Sequence, residues 1–467
     1  MEKFKPLTNE QLYLLPPSVE DFIPAGHLAR VINDVVETID VKAIELKYSF
    51  LGQKSYPPHL LLKLLFYGYS TGTRSGRKIA AACEQDTAFM YLAAMYKPDF
   101  RTINDFRKIN IEFIQQSFVH IVQLCKGLGM CNAGVIILDG TKLKANANAA
   151  RTKNKEQYEQ WLERIDTDIK TILDEAAQTD EKEDKQYGDN RGDELPKALH
   201  SKQKLKEKIK QVLEQMNSNK ERINLTDNEA KYIKNNGSID LNYNCQAAVT
   251  EDGIIVGAYT SNNCSDRPET IKSVNIAEQN TKEECKEILA DSGFASFDAF
   301  EELNNRNKII YIPDQQMNTE AEKEQNPYHR NHFVYNEEKD CFICPENKEL
   351  PFYSNSKHKR TKQQSRVYIC KDCPACEKQT LCTKGKYRQI HVEKREALRQ
   401  QIRERLNSVE GKLKYLKRMR IESIFGNIKH NLNYVHLYLK GIRKTTAEWQ
   451  LICIGHNLKK IHQLKMT

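Results

Sequence analysis

Tyr415, Arg418, Glu422 and Lys429 stand 3, 4 and 7 residues apart in a stretch, 411 to 447, where many lysines and arginines surround a single acid, Glu422. On one helix these spacings place all four along a stripe, with Phe425 on the same side. Salt bridging alone would account for an acid among cations. A carboxylate ringed by phosphate-binding types fits a more specific chemistry, in which the acid holds a hard metal ion while arginine and lysine hold a phosphodiester against it.

Such a site needs further carboxylates. Asp139 closes the apolar run in "GVIILDGTKLKANAN", and Asp291 closes that in "KEILADSGF". Both read as carboxyl ends of buried strands, where open α/β sheets place their sites. Two fixed carboxylates sharing a site repel unless a cation lies between them, and Mg²⁺ takes carboxylate oxygens while leaving positions for water and phosphate. Asp266, in "NNCSDRPET", reads more simply as a helix start beside Ser265 and Pro268. His430 and His456 read as packing or solvent residues.

A second constellation is Cys341-x2-Cys344, followed by Cys370-x2-Cys373-x2-Cys376-x5-Cys382. Paired knuckles of this kind point to a structural Zn²⁺ held by four of the six thiolates, in a segment too polar to build its own core. Lys371, Lys378, Lys384, Lys386 and Arg388 around them favour a DNA-facing module.

The elements that position these groups divide by pattern. Residues 1–128 read as an all-α domain: "PPHLLLKLLFYGYSTG" opens on prolines and closes on Gly72, Ser75 would cap a short helix, and a long third helix runs through "INDFRKINIEFIQQSFVHIVQLC". Arg74, Arg77, Lys78, Arg101, Arg107 and Lys108 near the helix ends suit a helix-turn-helix DNA reader, and a plain bundle with a basic rim fits the same pattern. From 129 to 467 the period changes to that of a mixed α/β sheet flanked by helices, with "YNCQAAVTEDGIIVGAYTSN" a hairpin turning at Asp252-Gly253. Two insertions interrupt it. Residues 151–222 form a helical hairpin in which Trp161 is packing, and 314–395 carry the cysteines.

At 467 residues the chain is long enough for several cores. Its net charge of +9 is uneven: residues 354–420 hold 20 Lys and Arg against 6 Asp and Glu, so the remainder is negative. A local surplus interleaved with Tyr368, Tyr387 and Tyr415 points to a polyanion, most simply nucleic acid. Thirteen cysteines with no N-terminal apolar signal lead one to expect a reducing, cytoplasmic setting. No apolar run approaches the roughly 18 residues of a membrane span.

Asp139 in "LDGTKLKANA", Asp291 in "LADSGF" and Glu422 in "YLKRMRIESIFGNIK" resemble the catalytic triad of bacterial insertion-sequence DDE transposases with an RNase H-like core. Tyr415, Arg418, Glu422 and Lys429 match that family's Y-x2-R-x3-E-x6-K signature at every position. "TDNEAKYIKNNGSIDLNYNCQAAV" and "SYPPHLLLKLLFYGYSTG" resemble its lead into the second strand and its N-terminal DNA-binding region, so the likeness runs from about residue 10 to 460. The resemblance implies two Mg²⁺, or Mn²⁺, held by the three carboxylates. It also implies cleavage at transposon ends, strand transfer of the freed 3′-hydroxyl into target DNA, and a homodimer on paired terminal inverted repeats. Tyr415, Arg418, Lys429, Arg77, Lys78 and Arg107 would contact DNA. Some relatives carry a tryptophan in the insertion before the glutamate helix that traps a flipped base. Here only Trp161 and Trp449 exist, leaving Tyr328, Phe333 or Tyr353 to stack instead. The rival readings are an RNase H-like nuclease that cuts without joining, and a non-catalytic DNA-binding protein derived from a transposase.

Overall fold

In this computed structural model residues 18–48, 55–187, 197–235, 237–314, 317, 326–357, 364–393 and 396–466 are described. The helix α1 (Leu28–Glu37) is capped by the His27 ring. Two prolines open α2 (Pro58–Thr71), and Gly72 ends it at φ +87°, a conformation that glycine takes without strain. Ser75 does stand before α3 (Gly76–Gln85), but its side chain makes no capping bond, whereas Asp86 caps α4 (Thr87–Leu92) through the Ala88 and Phe89 amides. The expected long third helix is two helices, α5 (Phe100–Ile109) and α6 (Ile111–Gly127). Asn110 breaks it, bonding the Phe106 carbonyl through its own side chain at 3.1 Å. Such local competition leaves no mark on apolar periodicity.

The sheet begins with β1 (Val135–Lys144), whose Ile136, Ile137 and Leu138 are all buried, as a central strand requires. Next comes an arm, α7 (Lys155–Tyr187) and α8 (Lys197–Gln215), closed at its root where β2 (Thr152–Lys153) pairs with β3 (Ile223–Asn224). The arm has its own small core around Tyr158, Ile165, Ile209 and Val212, and Trp161 packs there as expected. β4 (Lys231–Asn235), β5 (Ser238–Thr250) and β6 (Ile255–Ser261) are antiparallel neighbours, and Gly253 makes the anticipated turn at φ +83°. The hairpin joining β4 to β5 at Gly237 was not anticipated. α9 (Thr270–Thr281), β7 (Glu287–Ala290), α10 (Phe297–Asn305) and β8 (Ile309–Tyr311) complete the layer. The order is β4-β5-β1-β7-β8 with β6 also on β5, and β1, β7 and β8 run parallel.

A second sheet of β9 (Val334–Asn336), β10 (Cys341–Ile343), β11 (Glu349–Lys357), β12 (Gln364–Ile369) and β13 (Gln389–Glu393) carries the cysteines and a core of its own. Asp314, just before it, is buried against Arg399 and Arg403 of α11 (Glu396–Asn407), which follows it. Then come α12 (Val409–Leu416), α13 (Met419–Gly426) and α14 (Ile442–Met466). α14 is buried along most of its length against β6, α2 and α6, so the first helices and the main sheet share one core. No helix among the described residues is long and apolar enough to cross a membrane.

Candidate active site

Parallel pairing sets the site. Leu138 lies opposite Ala290 in the register of β1 and β7, so Asp139 and Asp291 follow at the same level, about 5 Å apart strand to strand. The expected strand end holds for Asp291 but is corrected for Asp139, which lies mid-strand, paired with Ala247 of β5, while β1 runs on to Lys144. Asp139 accepts the Gly140 amide at 2.7 Å and Asp291 the Gly293 amide at 2.9 Å. Burial, and after it the charge of Asp291, push the Asp139 carboxyl up to about 7. A buried carboxylate pair of this kind favours a proton or a cation between its members.

α13 packs on β1 and brings the basic segment to the pair. The expected single helical stripe is corrected. Tyr415 belongs to α12, the chain turns at Lys417 and Arg418, Glu422 belongs to α13, and Lys429 lies in a wider π-type turn, Asn427–Asn431. Arg418 and Lys429 keep electrostatic contact with Asp139 and Tyr415 with Asp291, while Glu422 meets the pair only through Arg418. Arg418 ion-pairs with Glu422 at 2.5 Å, and its charge also reaches Tyr415 and Asp139. Burial raises the Tyr415 hydroxyl, with Asp291 adding to the effect. Burial lowers the Lys429 ammonium, which lies within electrostatic reach of Cys245, Lys142 and Asp139. Glu422 is 49% exposed and turned to Arg418. Among the described residues no three carboxylate, histidine or cysteine side chains stand in metal-holding geometry.

Asp266 requires a correction. It does stand at a helix start, before the 3-10 turn Arg267–Glu269 that carries Pro268 and runs directly into α9, but its side chain caps nothing. Its carboxylate instead takes Lys142 Nζ at 2.9 Å, Asn244 Nδ2 at 2.6 Å and Gln246 Nε2 at 2.7 Å, directly beside Asp139, whose pKa it helps raise. Gly140 permits this approach, because a Cβ there would meet Asp266 Oδ1 and Gln246 Nε2 at 2.5 Å. The sequence signal lay in "LNYNCQAAV", where polar Asn242, Asn244 and Gln246 alternate along a strand that is otherwise buried and apolar.

The first helices also need correcting. Arg77 and Lys78 are exposed at the start of α3, with Arg77 over the Phe100 ring. Arg107 is buried, donating to Tyr69 Oη at 2.8 Å, the Arg74 carbonyl at 3.2 Å and Asn104 Oδ1 at 3.1 Å, so its guanidinium is engaged within the fold and not at the surface. Arg74 is buried too, beneath Tyr434 and Tyr438 and paired with Glu448 at 3.6 Å. Helical pattern places such residues near helix ends without saying which side of the helix the rest of the fold covers.

In the second sheet Cys344, Cys370, Cys373, Cys376 and Cys382 surround one cavity, while Cys341 lies apart from it within β10. Backbone amides of Lys348 and Arg388 donate to the sulfurs of Cys344 and Cys373 at 3.3 and 3.2 Å. Burial and a bond to Cys373 push the Cys370 thiol up to about 12. Tyr328 and Phe333 are buried against this cavity, and of the aromatics considered for stacking a base only Tyr353 is exposed. His430 is exposed, and His456 is buried on the Gly253 carbonyl.

Two family models match the chain. One, described as a transposase DDE domain, covers residues 343–462, and the other, described as a transposase domain (DUF772), covers 17–109. No curated protein matches. The first match takes in Arg418, Glu422 and Lys429, while Asp139 and Asp291 lie outside it and stand on strand geometry.

Proposed function

We propose that this chain, which matches a transposase DDE domain and a transposase domain (DUF772), is an insertion-sequence DDE transposase that cuts phosphodiester bonds at transposon ends and joins the freed 3′-hydroxyl to target DNA. The observation that carries this reading is the pair Asp139 and Asp291 at one level on neighbouring strands, with Arg418 in electrostatic reach of Asp139 and Glu422 bonded to Arg418. The sheet order, with an antiparallel β5–β6 beside parallel β1, β7 and β8, agrees with an RNase H-like core running from 129 to 467. The arm and the cysteine sheet are then insertions in it, and 1–128 is a DNA-binding part.

The donor set suits Mg²⁺ or Mn²⁺. Two hard carboxylates, one raised by burial beside the other, call for a cation, and Glu422 can complete the set by turning from Arg418. Bound there, two such ions would activate the attacking oxygen and stabilise the leaving one. Arg418 and Lys429 would hold the phosphodiester, Tyr415 would brace the Arg418 guanidinium lying 5.7 Å from its ring centre, and the Lys142–Asp266 pair would hold the floor beneath Asp139. Cutting both ends in step calls for a homodimer on paired inverted repeats of duplex DNA. The cysteine cavity would be a structural zinc site with ligands drawn from Cys344, Cys370, Cys373, Cys376 and Cys382.

The test uses duplexes carrying the gene's flanking DNA. With Mg²⁺, the protein should nick at the element end and should join a pre-cleaved end to a second duplex, and Asp139→Asn or Asp291→Asn should lose both activities while still binding. Cleavage without joining would leave a nuclease. Cleavage that survives either substitution would overturn the assignment.

A further inference from the structure

At the root of the arm lies a cleft of 340 Å³ whose lining includes Arg151, Lys204, Lys208 and Lys440 and contains no carboxylate. The four cations come from three stretches far apart in the chain: the turn before β2, the middle of α8, and the approach to α14. All four are exposed. Among the described residues none of them makes an ion pair, although Lys202 and Lys206 of the same helix pair with Asp168 and Asp166 of α7. α8 therefore turns one set of lysines to its neighbour in the arm and another to the cleft. Thr226 also lines the cleft, and its hydroxyl has no hydrogen-bond partner.

Lysines on a lysine-rich helix are ordinarily just solvated, and each would then point its own way. Here Lys204 and Lys208 sit one turn apart, where like charges destabilise an isolated helix by a few tenths of a kcal/mol. Two further cations converge on them across a concave surface, which focuses positive potential. That arrangement is unfavourable until an anion fills it. We propose that this cleft grips the phosphodiester backbone of duplex DNA, making the arm a second handle on the substrate, away from the carboxylate centre. The proposal rests on the transposase reading for its choice of anion.

The experiment measures the salt dependence of binding to a duplex of arbitrary sequence for three full-length proteins: wild type, Lys204→Ala with Lys208→Ala, and a control with Lys170→Ala and Lys210→Ala. The control removes the same charge from exposed positions of the arm that do not line the cleft. The slope of log K against log salt should fall by about 1 to 2 for the cleft pair, at about 0.9 per phosphate contact, and should hold for the control. Equal slopes for the two variants, or an unchanged slope for the cleft pair, would overturn the proposal while leaving the transposase reading intact. A wild type that binds no duplex would overturn both.

Discussion

Glu422→Gln separates a carboxylate that works with metal from one that merely braces an arginine. Its bond to Arg418 is an i,i+4 pair of 2.5 Å, with Glu422 half exposed. Exposed pairs of this kind contribute about 0.3–0.5 kcal/mol, less at high salt. Glutamine keeps the volume and one acceptor oxygen, so folding stability should fall by no more than about 0.5 kcal/mol. Cleavage should respond very differently, because a neutral amide is a poor Mg²⁺ ligand and the charge it withdraws acts on the transition state. A loss of about 4 kcal/mol there is about a thousandfold in rate. DNA binding should be kept or slightly tightened, since Arg418 is released toward phosphate. Denaturant midpoint, gel-shift affinity and Mg²⁺-dependent cleavage, measured on one preparation, give the comparison. Cleavage within about tenfold of wild type would refute the metal role. So would a stability loss above about 2 kcal/mol that tracks the loss of activity, because it would make Glu422 a structural residue.

Asp266→Asn should leave the fold intact but cut cleavage by about tenfold or more, as outer-shell partners of a metal site commonly do; a simple capping residue would cost about 1 kcal/mol of stability and no specific activity. Arg107→Met should destabilise by about 3 kcal/mol, because the partners of a buried guanidinium lose charged hydrogen bonds, and should leave the salt slope of DNA binding unchanged. A reduced slope would return Arg107 to the DNA surface. Arg418→Ala and Lys429→Ala should each lower that slope by about one counterion unit, and an unchanged slope would mean that they only neutralise carboxylates. Purified, reduced protein should hold about one Zn²⁺ per chain, and chelation should unfold the cysteine sheet before the main one. A metal-free protein with that sheet intact would make the cysteines packing residues.

Local signals in the sequence were enough for some of this. β7 was legible as a short apolar run ending before Asp291, and the β5–β6 turn because Asp252-Gly253 names its own geometry, whereas only the apolar start of β1 was, since the strand runs five residues beyond Asp139 on pairing with β5 that its sequence does not announce. What failed were inferences about which face of an element the rest of the chain would cover. Arg107 and Arg77 look alike in sequence, both basic and near helix ends, yet one is enclosed by Tyr69 and Asn104 and the other is exposed. A single helical stripe from Tyr415 to Lys429 is the simplest reading of their spacing, but the turn at Lys417–Arg418 and the π-type turn at 427–431 divide it, leaving Arg418 with Tyr415 and Glu422 and Lys429 beside Lys142 and Cys245, with Asp139 in electrostatic reach of both cations.

Asp266 shows the physical root of the difficulty. A carboxylate is read from its neighbours in sequence, here Ser265 and Pro268, which suit a helix start. Its fate in the fold is decided by Lys142, Asn244 and Gln246, which reach it across more than a hundred and about twenty positions. Local capping is worth about 1 kcal/mol, whereas leaving Lys142 unpaired in a half-buried place beside Asp139 costs more. The long-range partner therefore wins, and the carboxylate turns inward. The same logic runs in reverse at the arm cleft. There Arg151, Lys204, Lys208 and Lys440 meet with no acid among the described residues to neutralise them. A fold that finds a carboxylate for Lys142, Lys202 and Lys206 yet leaves these four without one keeps them open to an anion from outside.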